Sequence, residues 1–159
     1  MKALLKLLNE NARYTNAQLA VMLGITEDEV QQQIKDLENS GVIKGYRPVI
    51  NWDNARPAHL TALIELKVSP KKNFGFDEIA QKVMAFEEVE SVYLMSGGYD
   101  LAVFVTGQSF QDIAMFVAKR LAPLESVLST ATHFILSRYK QSGVIMHEEP
   151  QDDRRSILI

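Results

Sequence analysis

Apolar residues recur at helical spacing from the first residues of the chain. Leu4, Leu5, Leu8 and Ala12 predict an amphipathic helix beginning over residues 2–8. Thr15 stands three residues before Gln18, where a hydroxyl and an amide satisfy each other's unpaired backbone N–H groups at a helix start. A second helix is therefore expected from Asn16 to Leu23, burying Leu19, Ala20 and Leu23, with Gly24 as its left-handed stop. Thr26 and Glu29 repeat the capping arrangement two residues later. They open a third helix that runs to about Asn39, with Val30, Ile34 and Leu37 inward and Ser40-Gly41 as its end. Two short helices across a glycine turn fit a helix-turn-helix, and periodicity alone fits a plain helical hairpin equally well.

The segment Tyr46–Pro57 begins as a strand and ends in turn-forming residues, which places a domain boundary there. Trp52 within it is either a core anchor or a hinge contact. From Leu60 the period changes to two: Leu60, Ala62, Ile64, Leu66 and Val68 alternate with more polar partners. A helix over Phe76–Phe86 follows, with Ile79, Val83 and Phe86 on one face. Strands over Val89–Met95 and Tyr99–Thr106 flank Ser96-Gly97-Gly98, a short-hairpin signal in which both central residues need positive φ. Phe110, Ile113, Ala114, Val117 and Leu121 mark another helix, and Val127–Lys140 reads as one long closing strand. The order β-α-β-β-α-β is the ferredoxin-like unit, so the expected class is α+β. Residues 101–105 are apolar on both faces. Two helices cover one side of such a sheet, and a second copy of the chain is the economical cover for the other.

Composition sharpens this picture in three places. Of the 159 residues, 47% are apolar, which suits a folded chain, and there is no cysteine, which excludes disulfides and thiolate chemistry. No apolar run reaches membrane length and the N-terminal one is too short for a signal peptide, so a cytoplasmic protein with no membrane partner is expected. The net charge is −3, and residues 1–50 hold six basic and six acidic side chains. A neutral first third argues against strong non-specific DNA binding by one copy. On the third helix, burial of Val30, Ile34 and Leu37 turns Asp28, Gln32, Lys35 and Asn39 outward, with Gln31 on the flank. Glutamine contacts adenine bidentately, and lysine neutralises phosphate or reaches guanine. The acidic first turn Glu27-Asp28-Glu29 suits the helix dipole and repels phosphate.

The string Ala17-Gln18-Leu19-Ala20, Leu23-Gly24-Ile25-Thr26, Val30, Ile34 and Leu37-Glu38, closing on Gly41-Val42-Ile43, resembles the winged-helix-like DNA-binding domain of Lrp/AsnC transcriptional regulators. Asn11-Ala12-Arg13 matches the way those proteins enter their second helix, and their third helix leads into a strand, here Lys44-Gly45-Tyr46. The run Tyr93–Leu101 is similar to the Gly-x-Tyr-Asp-Leu hairpin of the same family's regulatory domain. Together the two likenesses cover about residues 3–140, in the family's order. One departure is plain: family members often carry arginines around Gln31–Gln33 and Asp36.

The resemblance implies a helix-turn-helix domain over 1–45, a linker over 46–58, a ferredoxin-like effector-binding and oligomerisation domain over 59–140, and a strand extension and tail over 141–159. It implies double-stranded DNA as partner, met by Thr15, Asn16, Thr26, Asp28, Gln31, Gln32, Lys35 and Asn39. It also implies a small-molecule effector, an amino acid, held by Ser96, Gly97, Gly98, Tyr99, Asp100, Thr130 and Thr132. Asp100 would take the α-ammonium and the N–H groups near Gly97 and Gly98 the carboxylate. A homodimer, and beyond it an octamer, would supply the avidity that one neutral domain lacks.

Other chemistries find little footing. Ser96-Gly97-Gly98 lacks the Gly-Lys-Ser/Thr ending of a phosphate loop and joins strand to strand. His59, His133 and His147 are too dispersed for a metal site, Glu87, Glu88 and Glu90 read as a solvated helix end, and no cofactor motif occurs. An enzyme is not expected. Two other readings are a small cofactor-free enzyme, which leaves the helical first third unexplained, and an oligomeric amino-acid sensor without DNA binding, which the glutamine-rich third helix permits. The tail from Glu148 reads as mobile, with Ile157-Leu158-Ile159 able to dock on a partner.

Overall fold

A computed structural model describes residues 1–55, 59–69 and 75–147. Its contacts divide the chain into two compact units, Met1–Pro48 and Val49–Ile159. The tail beyond residue 147 lies outside the described residues.

The first unit holds α1 (Lys2–Glu10), α2 (Asn16–Leu23) and α3 (Glu27–Asn39). Leu4, Leu8, Leu19, Ala20, Val30 and Leu37 form its core, with Ile25, Ile34 and Ile43 packed at the margin. Full burial of a leucine-sized side chain contributes about 1.5–3 kcal/mol, so this small core rests on few residues. Both predicted capping boxes are present, Thr15 with Gln18 and Thr26 with Glu29. Gly24 is left-handed, with φ 67° and ψ 35°. Ala12 departs from expectation: α1 stops at Glu10, and Ala12 is exposed. The Asn11 side-chain oxygen accepts the N–H of Arg13 at 3.0 Å, a local turn that competes with the helix. The strand expected at Lys44-Gly45-Tyr46 also fails to form, and residues 43–51 carry no ladder. A strand needs a neighbour, and the Tyr46 hydroxyl instead donates to Glu38 Oε1 on α3 at 2.9 Å.

The second unit has the expected order: β1 (Leu60–Val68), α4 (Asp77–Met84), β2 (Val89–Leu94), β3 (Leu101–Gly107), α5 (Phe110–Phe116) and β4 (Val127–Phe134). The four strands lie in the order β2-β3-β1-β4, every neighbouring pair antiparallel. Ala62, Ile64, Leu66 and Val68 share one face with Leu101, Val103 and Val105 and meet Ile79, Val83, Ile113, Phe116, Val117 and Leu121 in the core. Alternation puts Leu63, Glu65, Phe104, Tyr93 and His133 on the other face, and none of them joins that core. Helix α5 runs on into a wider turn, Val117–Leu121, where Ala122 N–H reaches Val117 O at 2.8 Å.

Two expectations here need correction. The β2–β3 connection is longer than a two-residue turn. Leu94 pairs with Leu101, Met95 N–H donates to Asp100 O at 2.8 Å, and only Gly97, at φ 150°, has positive φ. A turn with positive φ at both centres occurs instead at Ser142-Gly143, between β5 (Lys140–Gln141) and β6 (Val144–Ile145). The closing strand ends at Phe134, not Lys140. Its one neighbour, β1, has only Thr61 and Leu60 left beyond the Ala62–Phe134 pair, and the last bond passes from Ile135 N–H to Thr61 O at 3.0 Å.

Candidate functional site

Helix α3 presents a continuous polar surface because its apolar residues all turn inward. Asp28, Gln31, Gln32, Lys35 and Asn39 are exposed, as are Thr15 and Thr26, while Asn16 is half-buried at the start of α2. Two of these side chains are already engaged. The Gln32 amide donates to Asp36 Oδ1 at 2.8 Å, one turn along the helix. The Thr26 hydroxyl donates to Glu29 Oε2 at 2.9 Å while accepting the Glu29 N–H at 3.2 Å. Those bonds to the Thr26 backbone and side chain hold the Glu29 carboxyl below its ordinary range. Thr15 differs: its oxygen accepts the Gln18 N–H at 3.2 Å, and that bond leaves the hydroxyl proton unused. Arg13, exposed two residues ahead, adds a positive charge beside these positions that the Asn11-Ala12-Arg13 string alone does not mark as a contact.

In the second unit Ser96, Gly97 and Gly98 form the exposed tip of the β2–β3 loop, with Tyr99 and Asp100 half-buried behind it. Asp100 Oδ2 accepts the Val68 N–H at 2.8 Å, so one carboxylate oxygen is committed to the end of β1. Thr130 and Thr132 lie on β4 opposite Leu66 and Ile64. Leu66 also pairs with Leu101, so Thr130 stands two strand spacings, about 10 Å, from the loop's base. Thr132 lies a further residue pair from the loop, about 7 Å along the strand. Within one chain the five loop residues are contiguous and the two threonines are not beside them.

The histidines stay apart: His59 Nε2 is 3.9 Å from Glu90 Oε1, His133 Nε2 is 3.4 Å from Glu65 Oε1, and the His147 ring meets Tyr139 edge to face. Among the described residues no three His, Asp or Glu side chains group as a metal site, and no helix is long and apolar enough to cross a membrane. Trp52, left open by the sequence, stacks on His59 with ring centroids 4.4 Å apart. No pattern along the chain signals the surroundings of that stack. Asn51 Nδ2 donates to Met146 O at 3.0 Å, and Arg138 Nη1 lies 3.4 Å from Asp53 Oδ1. Arg138 also donates to the hydroxyl of Thr61, a buried polar side chain.

A helix-turn-helix with a polar third helix, followed by an antiparallel sheet with one side uncovered by its own helices, defines a DNA-binding regulator carrying a sensing domain. Residues 1–44 match a family model described as winged helix-turn-helix DNA-binding, and residues 61–145 match the Lrp/AsnC ligand binding domain. The chain is 45% identical over 156 residues to YugG, an uncharacterized HTH-type transcriptional regulator of Bacillus subtilis, covering 98% of this chain and 93% of that one. It is 30% identical to the HTH-type transcriptional regulator LrpA of Pyrococcus abyssi, covering 87% and 96%. The feast or famine regulatory protein of M. tuberculosis complexed with L-methionine superposes with a TM-score of 0.73 at 26% identity, covering 88% and 92%. The chain belongs to the Lrp/AsnC family of transcriptional regulators.

Proposed function

We propose that the protein binds double-stranded DNA sequence-specifically through α3 and adjusts that binding to an amino acid held by its second unit. The observation that carries the DNA half is the outward row of Gln31, Gln32 and Lys35, donor-bearing side chains on a doubly capped helix whose other side is core. Gln31 and Gln32 read base edges, Lys35 meets phosphate or guanine, and Thr15, Asn16, Thr26, Asp28 and Asn39 border the contact. Arg13 and the free proton of Thr15 add phosphate contacts at the start of α2. Glu27, Asp28 and Glu29 oppose binding, so affinity rises chiefly with the number of copies bound together.

The effector half rests on the Ser96–Asp100 loop. The positive φ of Gly97 supports an open approach to the backbone, and the Asp100 oxygen not bonded to Val68 supports pairing with an α-ammonium. Thr130 and Thr132 complete the lining from a neighbouring copy, because in their own chain they stand away from the loop tip. A ligand touching two copies shifts assembly by its differential affinity for the two states. The sheet face bearing Leu63 and Phe104 forms a homodimer, and further pairing gives an octamer.

An electrophoretic shift with DNA upstream of the protein's own gene, at low and physiological salt, tests the reading, alongside a calorimetric screen of the common amino acids. Salt-sensitive, sequence-dependent binding is expected, with at least one amino acid bound below millimolar. No shift at low salt removes the DNA assignment, and no bound amino acid removes the effector assignment.

A further inference from the structure

Tyr46 and Asn51 are anchored on either side of a short connection. On one side, partial burial and then the bond to Glu38 push the Tyr46 phenol up, keeping it a protonated donor to α3 at neutral pH. On the other, the 3-10 turn Trp52–Asn54 is held at three successive residues inside the second unit: Asn51 by Met146 O, Trp52 by the His59 ring and Asp53 by Arg138. Two of the holding groups, Met146 and Arg138, are themselves fixed. Met146 is buried and closes the β5–β6 hairpin through its N–H to Tyr139 O at 3.0 Å. Only 12% of the Arg138 side chain is exposed, and its second guanidinium nitrogen donates to the Thr61 hydroxyl of β1.

We infer that the C-terminal segment Arg138–Met146 acts as a clamp on the tether, setting the length of chain on which each DNA-binding unit swings. With the clamp engaged, residues 47–50 alone separate the Tyr46 anchor from the Asn51 anchor, a reach of about 14 Å. Without it the next residue held in the sheet is Leu60, and residues 47–59 span up to about 45 Å. Four residues against thirteen matter to a protein that reads two half-sites at once, one helical turn of about 34–36 Å apart. Effective concentration at the second half-site falls roughly as the −3/2 power of linker length, so release of the clamp weakens paired binding about six-fold. Asn51, Asp53 and Arg138 are thus positioning residues for DNA recognition, although none need touch DNA. The inference rests on the proposed reading of the chain as a self-associated DNA binder.

The test is the triple variant Asn51→Ala/Trp52→Ala/Asp53→Ala in the full chain, which leaves Arg138 on Thr61 and removes nothing from either core. Because the chain has no cysteine, Lys6→Cys and Gln111→Cys place single spin labels on exposed positions of α1 and α5. Measured at dilution into unlabelled protein, the distance distribution between the labels should widen in the triple variant. An unchanged width overturns the clamp. On DNA, the triple variant should bind a two-half-site fragment about six-fold more weakly than the unsubstituted chain and a single half-site equally well. Equal loss on both fragments overturns the tether role in favour of a general structural one. A chain of natural sequence that binds neither fragment removes the DNA reading, and the label distances still decide the clamp.

Discussion

Asp100 caps the end of β1 through Val68, its Oδ2 accepting the Val68 N–H at 2.8 Å. Past the last β1–β3 pair, Leu66 with Leu101, the ladder offers this N–H no backbone acceptor, and the carboxylate takes that place. The residue proposed to hold the effector's ammonium is therefore also part of the sheet.

That double duty separates two substitutions. Asp100→Ala leaves the Val68 N–H unpaired and should lower unfolding free energy by about 1–3 kcal/mol, read as a denaturant midpoint shifted at constant slope. Asp100→Asn keeps an acceptor and should cost less, yet lose amino-acid binding in calorimetry because the charge is gone. Undiminished binding by Asp100→Asn would sink the ammonium contact.

On α3, the bond from Gln32 to Asp36 must open before Gln32 can reach a base. Asp36→Ala should raise DNA affinity, by freeing the amide and removing a negative charge from the interface. Lys35→Ala should weaken binding and reduce the salt slope by about one unit if it meets a phosphate. Gln32→Ala should cost about 1–3 kcal/mol on the preferred site only. Titrations at several salt concentrations distinguish the three, and an unchanged affinity in all of them means α3 faces away from DNA.

The caps give a pH-dependent signature. Thr15→Ala should destabilise the first unit by about 0.5–2 kcal/mol. Glu29 has a folded pKa below its ordinary value because Thr26 hydrogen-bonds its charged form. Its contribution is therefore full above the unfolded carboxyl value, about 4.3, and is lost as pH falls through the lower folded one. The stability gap between the unsubstituted chain and Glu29→Gln should hold from pH 7 to about 5 and close on further acidification. A gap that widens in acid would contradict this assignment.

Assembly is expected through the sheet face opposite the helices. Tyr93 and Phe104 meet edge to face there, ring centroids 6.1 Å apart, beside Leu63. Phe104→Glu should shift the protein toward monomer in light scattering at micromolar concentration while its circular dichroism stays native. Unchanged mass would place the interface elsewhere.

What the sequence disclosed followed from how local each signal is. Both capping boxes were legible because donor and acceptor sit three residues apart. The order of the second unit followed from the switch of period at Leu60, and the alternation of β1 named its core face. Strand ends were less legible, because they depend on partners: β4 stops within two residues of the end of β1, and Lys44–Tyr46 has no ladder to join. The Gly97-Gly98 pair suggested a tight turn, yet the pairing of Leu94 with Leu101 leaves a wider loop to close. The Asn51–Met146 bond spans 95 residues, and no pattern along the chain announces such a contact. The candidate site was legible only as exposed polar positions on α3 and a glycine loop, since a site proposed to be shared between copies leaves no local periodicity.

The two hydrophobic cores have no residue in common. Inheritance can therefore treat the halves as separate traits. A substitution that retunes the proposed effector loop at Ser96–Asp100, even one that loosens the sheet, leaves Leu4, Leu19 and Val30 as they were, so on that reading a lineage could exchange one signal for another without relearning its operators. On the proposed reading the converse also holds, and drift in Gln31 or Gln32 would redirect the protein to new genes while the signal it answers stays the same. Paralogues arising by duplication would on this basis diverge fastest on α3 and around the loop at Gly97, and slowest at the residues that pin the tether.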